Sequence, residues 1–118
     1  MKRSNAPIFW SLFGAGGVLA ALFGPILVLI TGILAPLDAG MPSGALSYAH
    51  ALAFAQHPLG KAIIFALISL FLFHAAHRIY HTVHDFGVHG GTATRVAIYG
   101  AAIAGTVIAA GLLLSVGF

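Results

Sequence analysis

The chain has 118 residues, of which 60% are hydrophobic and only 6% charged, with a mean hydropathy of +1.05. Soluble domains carry ~25% charged residues, so this composition describes an integral membrane protein. Five basic and two acidic residues leave a net charge of +3, too small and too dispersed for nucleic-acid binding, and the absence of cysteine excludes disulfides, iron–sulfur ligation and thiol chemistry by this chain.

Met1 to Asn5 is a short polar arm carrying Lys2 and Arg3, and no further charge occurs before Asp38. That run exceeds the ~20 residues needed to cross a ~30 Å hydrocarbon core, which predicts a first spanning helix over 8–34. No cleavable signal peptide is expected, because the apolar segment is about twice the usual h-region and lacks a small-x-small ending. Trp10, with Phe9 and Phe13 beside it, belongs at headgroup level. Next comes Gly14-Ala15-Gly16-Gly17, where missing side chains let another helix or a ligand ring approach the backbone; helix packing is the simpler of the two explanations. Pro25 is expected to kink this helix near mid-membrane.

After Leu34 the chain is broken by Pro36, Asp38, Gly40, Pro42 and Gly44. Beyond them Leu46, Ala49, Ala53 and Phe54 recur at helical spacing, with Ser43 or Ser47 available as N-cap. This predicts a short amphipathic helix on the membrane surface, with His50 and His57 as exposed interfacial residues. A second spanning helix is predicted over 60–84, with Lys61 reaching from its start to the headgroups. A glycine-rich turn at 86–91 leads to a third spanning helix over 92–116, whose Ala101, Gly105 and Ala109 are spaced by four, a pattern that permits close helix contact and predicts a partner helix.

The fold class is therefore an all-α membrane protein: three transmembrane helices plus a short interfacial amphipathic helix, with residues 1–118 as a single membrane-anchor domain. Lys2 and Arg3 flank the first helix, and Arg78 and Arg95 flank the turn between the second and third, whereas the longer loop has Asp38 and only Lys61. By the positive-inside rule the N-terminus is cytoplasmic and the C-terminus lies outside. Trp10 then shares a membrane face with the end of the second helix.

That end carries the stretch His74-Ala-Ala-His77-Arg78-Ile79-Tyr80-His81-Thr82-Val83-His84-Asp85, which holds four of the seven histidines. At ~3.6 residues per turn, steps of three, four and three place His74, His77, His81 and His84 along one stripe, with Arg78 beside it. Ionisable residues at membrane depth are costly and mark functional sites by default.

Four explanations compete for this cluster. A haem needs axial imidazoles from opposite faces, and the stripe supplies only one face. H-x-x-H and H-x-x-x-H spacings suit zinc or iron, yet no acidic residue accompanies them within the bilayer. A quinone pocket needs N–H groups or a cation at each oxygen and titratable groups that carry protons to water, an inventory that Trp10, Arg78 and two or three histidines supply. The fourth explanation is a stripe that only anchors the helix end at the headgroups. Three short helices make too few walls to enclose any ligand, so the chain is expected to be an anchor built into a larger complex.

Three separated motifs carry a resemblance. Pro7-Ile8-Phe9-Trp10-Ser11-Leu12-Phe13-Gly14-Ala15-Gly16-Gly17, then Gly44-Ala45-Leu46-Ser47-Tyr48 with Leu52-Ala53-Phe54-Ala55-Gln56, and His77-Arg78-Ile79-Tyr80-His81-Thr82-Val83-His84-Asp85 resemble the small hydrophobic membrane anchor of bacterial quinol:fumarate reductase known as its D subunit. The resemblance covers nearly the whole chain. It implies a non-catalytic, multi-pass anchor in the bacterial inner membrane, with its N-terminus cytoplasmic and its C-terminus periplasmic. A second three-helix membrane anchor, the C subunit, would be its neighbour, and the iron–sulfur subunit and flavoprotein subunit would sit on the cytoplasmic face. It further implies a menaquinol oxidation site lined by Trp10, Arg78 and His81, with Gly14 and His77 next to it, and no haem or metal on this chain. Two positions depart from the family pattern: Tyr80 stands where the family has a histidine, and His74 where it has no imidazole. The alternatives are a purely structural anchor, or a haem-b anchor of the succinate dehydrogenase type.

Overall fold

The computed structural model describes residues 6–118, the side chains of Ala6 and Phe9 excepted, so the arm with Lys2 and Arg3 lies outside the described residues. Four α-helices follow one another: α1 (Ala6–Leu29), extended by a π-helical turn (Ile30–Leu34), then α2 (Tyr48–Gln56), α3 (Pro58–Asp85) and α4 (Gly91–Ser115). Three of them, α1 with its π extension, α3 and α4, are long and apolar enough to cross a membrane. α2, with nine residues, is not.

Each boundary has a local cause. Pro7 lies in the first turn of α1, where its fixed φ suits a helix start and its missing N–H costs nothing. Pro25, inside α1, deprives the carbonyl four residues back of its amide partner. Further on, the Thr31 hydroxyl donates to Leu27 O at 2.6 Å, competing for a carbonyl that the helix ladder would use, and the following turn widens until Ala35 N–H reaches Ile30 O, five residues back.

Ser47 is the N-cap of α2: its hydroxyl accepts from the His50 amide at 3.3 Å. His57 ends α2 and begins α3, its Nδ1 accepting from the Leu59 amide at 3.2 Å with Pro58 at the first helical position. This corner is so tight that a side chain on Gly60 would overlap the Phe54 carbonyl. α3 ends in a Schellman motif: Gly87, at φ +84°, donates to His84 O at 2.9 Å, and Val88 donates to Val83 O at 3.3 Å.

α3 is the central helix, packed by α1 along one side and by α4 along the other. The buried hydrophobic residues among those described are all alanines, Ala76 on α3 and Ala102 and Ala109 on α4. Gly16 is buried too, at the α1–α3 crossing, where an added Cβ would stand 2.5 Å from Leu70 O. Gly105 meets α3 in the same manner, its missing Cβ leaving room for Leu72 Cδ1. The helices therefore meet through small residues and van der Waals contact, while the large ones, among them Val18, Leu22, Ile26, Val28, Val107 and Leu112, remain exposed.

Two sequence expectations change on this background. Lys61 does not reach for the headgroups: it is 8% exposed, and its ammonium donates to Leu113 O and, at 2.9 Å, to Gly117 O. The small-residue stripe of α4 runs Ala102, Gly105, Ala109 and faces α3 of the same chain, while Ala101 is exposed. The predicted partner of Gly105 is thus internal.

Candidate functional site

α1 and α3 run antiparallel, so the first turns of α1 lie beside the last turns of α3. Phe13 is where they touch. Its ring stacks on His74 at a centroid separation of 4.5 Å and an interplanar angle of 12°, and lies 4.4 Å from the His77 ring. Trp10 packs edge-on against Phe13 at 5.9 Å, and His81 packs against His77 at 4.4 Å. A continuous row Trp10, Phe13, His77, His81 therefore links two helices at one end of the bundle.

The histidine stripe divides its work. His74 is taken up by the helix crossing: Nδ1 is 3.1 Å from Phe13 O, and the ring occupies the space that Gly17 leaves free, where a Cβ would be 2.9 Å from His74 Cε1. His77 bridges to α4, its Nδ1 2.9 Å from the Tyr99 hydroxyl. His81 is exposed and flanked by Tyr80 at 5.5 Å. His84 packs on His89 of the following turn at 4.5 Å. Among the described residues no three His, Cys, Asp or Glu side chains converge so as to hold a metal ion.

Of the five residues singled out in the sequence, the structure joins Trp10, His77 and His81 through Phe13. Arg78 is exposed on α3, four residues after His74, which places its Cα about 40° around the helix from that of His74, on the side away from His77 and His81. Gly14 differs from the glycines that follow it: an added Cβ there meets nothing within 4 Å, whereas Gly16 and Gly17 are filled by α3. The open position is the one nearest Trp10 and Phe13.

Phe13 and Tyr99 are the residues that sequence reasoning passed over as parts of the site. Phe13 reads as one more interfacial aromatic beside Trp10. Tyr99 follows Arg95 by one turn, so the start of α4 has a polar flank on an otherwise apolar helix, and that i, i+4 pair is the signal available in the sequence. In the structure Arg95 lies 5.7 Å from the Tyr80 ring centre, its Nη2 a long 3.5 Å from the Tyr80 hydroxyl, and the Tyr80 and Tyr99 rings are 5.8 Å apart.

Chemically this end offers the indole N–H of Trp10, a residue 69% exposed, two exposed guanidiniums, Arg78 and Arg95, and imidazoles that can both give and take protons. Trp10, Arg78 and His81 stand on the outer surface of the bundle, while His77 is half-buried. The other end holds a cleft of about 310 Å³ between α3 and α4. Lys61, the one charged side chain on its wall, is committed to two carbonyls, so nothing charged remains there to orient a ligand.

Comparison with known proteins gives one consistent result. The family model for the D subunit of fumarate reductase matches residues 1–114. The chain is 45% identical over 108 residues to the fumarate reductase D subunit of a Shewanella species, covering 92% of this chain and 88% of that one. It is 46% identical over 99 residues to the D subunit of Vibrio cholerae, covering 84% and 75%, and 39% identical over 107 residues to that of Aliivibrio fischeri, covering 91% and 88%.

Proposed function

The chain belongs to the family of fumarate reductase D subunits, and from that premise we propose that the end of the bundle bearing Trp10, Gly14, His77, Arg78 and His81 is one wall of a menaquinol oxidation site. Family membership makes it a multi-pass membrane anchor of a fumarate reductase complex and not the catalytic subunit. Its residues 1–118 act as one anchoring unit. The remaining walls come from a second three-helix membrane anchor, the C subunit, and from the iron–sulfur subunit, which with the flavoprotein subunit sits on the cytoplasmic face.

The observation that carries this reading is the aromatic row from Trp10 through Phe13 to His77 and His81, with Arg78 exposed beside it. Its donor set suits a quinone head: N–H groups and a cation for the oxygens, a flat aromatic surface, and an uncrowded backbone at Gly14. When bound, menaquinol supplies two electrons and two protons. Trp10 orients the head with a single N–H donor. Arg78, always charged, holds a fixed positive potential where negative charge develops on the ring oxygens, a preorganised interaction that strengthens as that charge grows. His81 takes a proton and passes it to water on the exposed side. We propose no haem: His77 and His81 share one helix face, and an optical spectrum of the purified complex checks this.

Orientation follows the same logic. With Arg78 and Arg95 at the site end and Lys61 held at the other, the N-terminus and the quinol site lie on the cytoplasmic side of the inner membrane and the C-terminus is periplasmic.

Arg78→Leu in the assembled complex tests the reading. Quinol-driven fumarate reduction should fall by about one to three orders of magnitude, the scale of losing one preorganised donor. Reduction driven by a soluble viologen should survive, because those electrons bypass the membrane site. Equal loss of both activities, or of neither, would leave the chain a purely structural anchor.

A further inference from the structure

We infer that Tyr99, on α4, is a positioning residue that fixes which nitrogen of His77 carries the proton and so makes His77 a hydrogen-bond donor to the quinol head. The inference rests on the quinol-site reading above and adds to it a third helix and a division of labour between two histidines.

The Tyr99 hydroxyl and His77 Nδ1 are 2.9 Å apart. A phenol O–H is a strong donor, while its oxygen, conjugated with the ring, is a weak acceptor; an imidazole sp² nitrogen is a strong acceptor. The bond therefore runs from Tyr99 O–H to Nδ1. Neutral imidazole carries one proton, so with Nδ1 engaged as acceptor that proton sits on Nε2. His77 is then fixed as an Nε2–H tautomer.

Among the described residues Tyr99 is the one hydrogen-bond partner of the His77 ring. From α1, His77 faces the Phe13 ring at 4.4 Å, which offers no acceptor or charge. On α3 its neighbours are His74, whose Nδ1 is 3.1 Å from Phe13 O, and His81, which meets it ring to ring at 4.4 Å. From α4 comes Tyr99, flanked by Tyr80 at 5.8 Å, with Arg95 beyond it over the Tyr80 ring. Tyr99 is itself half-buried. His81 is exposed and, among the described residues, has no such partner on α4.

The two imidazoles therefore do different work. His77 donates to a quinol oxygen and sets where the head rests. His81 accepts the proton that leaves.

A donor bond present equally before and during reaction contributes uniform binding, so its loss raises KM and spares kcat. Tyr99→Phe keeps the ring and removes the hydroxyl. In the intact, membrane-bound complex it should raise KM for menaquinol about three- to tenfold, the scale of one hydrogen bond, with kcat and viologen-driven fumarate reduction unchanged. On a His77→Ala background the same change should have no further effect, because a residue acting through His77 has nothing left to position. Tyr99→Phe adding its full effect to His77→Ala would show a role independent of His77 and overturn the inference. So would an unchanged KM in Tyr99→Phe; if Arg78→Leu still lost its quinol-driven rate, the quinol site itself would stand. If Arg78→Leu and His77→Ala were both neutral, the site reading would fall and the inference with it.

Discussion

Lys61 sits at a position where only 8% of its surface is accessible. A buried cation in an apolar bundle needs partners, and the nearest carboxylates in sequence, Asp38 and Asp85, are more than twenty residues away. The carbonyls at the C-terminal end of α4 supply them instead: Leu113 O and Gly117 O accept from the ammonium, and the Phe118 ring lies 4.7 Å from it. This is a C-terminal dipole satisfied by a cation from another helix, joined by Gln56 Nε2 donating to Val116 O at 2.8 Å. Lys61→Met keeps the apolar stem and leaves those carbonyls unpaired, so it should cost about 1.5–3 kcal/mol, the scale of a charge-assisted hydrogen bond. Thermal denaturation of the purified complex in detergent reads this as a lowered midpoint. An unchanged midpoint would mean that water or lipid replaces the ammonium without loss.

At the scale of the element, packing is decided by what is missing from side chains. Gly16 lets the α1 backbone approach Leu70 O, Gly17 admits the His74 ring, and Gly105 admits Leu72. Gly105→Leu should therefore separate α4 from α3 within this chain, removing dispersion contacts and pulling Tyr99 from His77. The expected outcome is a lower yield of assembled complex, together with a raised menaquinol KM in what does assemble. Normal yield and normal KM would show that α4 tolerates the displacement. The caps, by contrast, were readable from local chemistry: Ser47 before a helical period, and glycine after His84-Asp85-Phe86. What sequence could not supply is contact across long separations. Lys61 meets carbonyls more than fifty residues onward, and His77 meets a hydroxyl 22 residues away. Sequence periodicity likewise put four histidines on one stripe, but only the packing of α1 and α4 shows that His74 is spent on a helix crossing while His81 is left exposed.

For the whole molecule, an α3 flanked by α1 and α4 is an open arrangement. Large apolar side chains on α1 and α4 stay uncovered, and the polar residues of the candidate site stand on the surface. Surfaces left open in this way are in keeping with an anchor that belongs to a multi-subunit complex. The central claim is that the quinol head rests against the Trp10 to His81 row. Photolabelling of the intact complex with an azido-menaquinone, followed by peptide mapping, tests it most directly. Adducts are expected on the peptides holding Trp10 to Gly14 and His77 to His81, suppressed by excess menaquinone; adducts found only on the neighbouring proteins of the complex, equally suppressed by competitor, would contradict it.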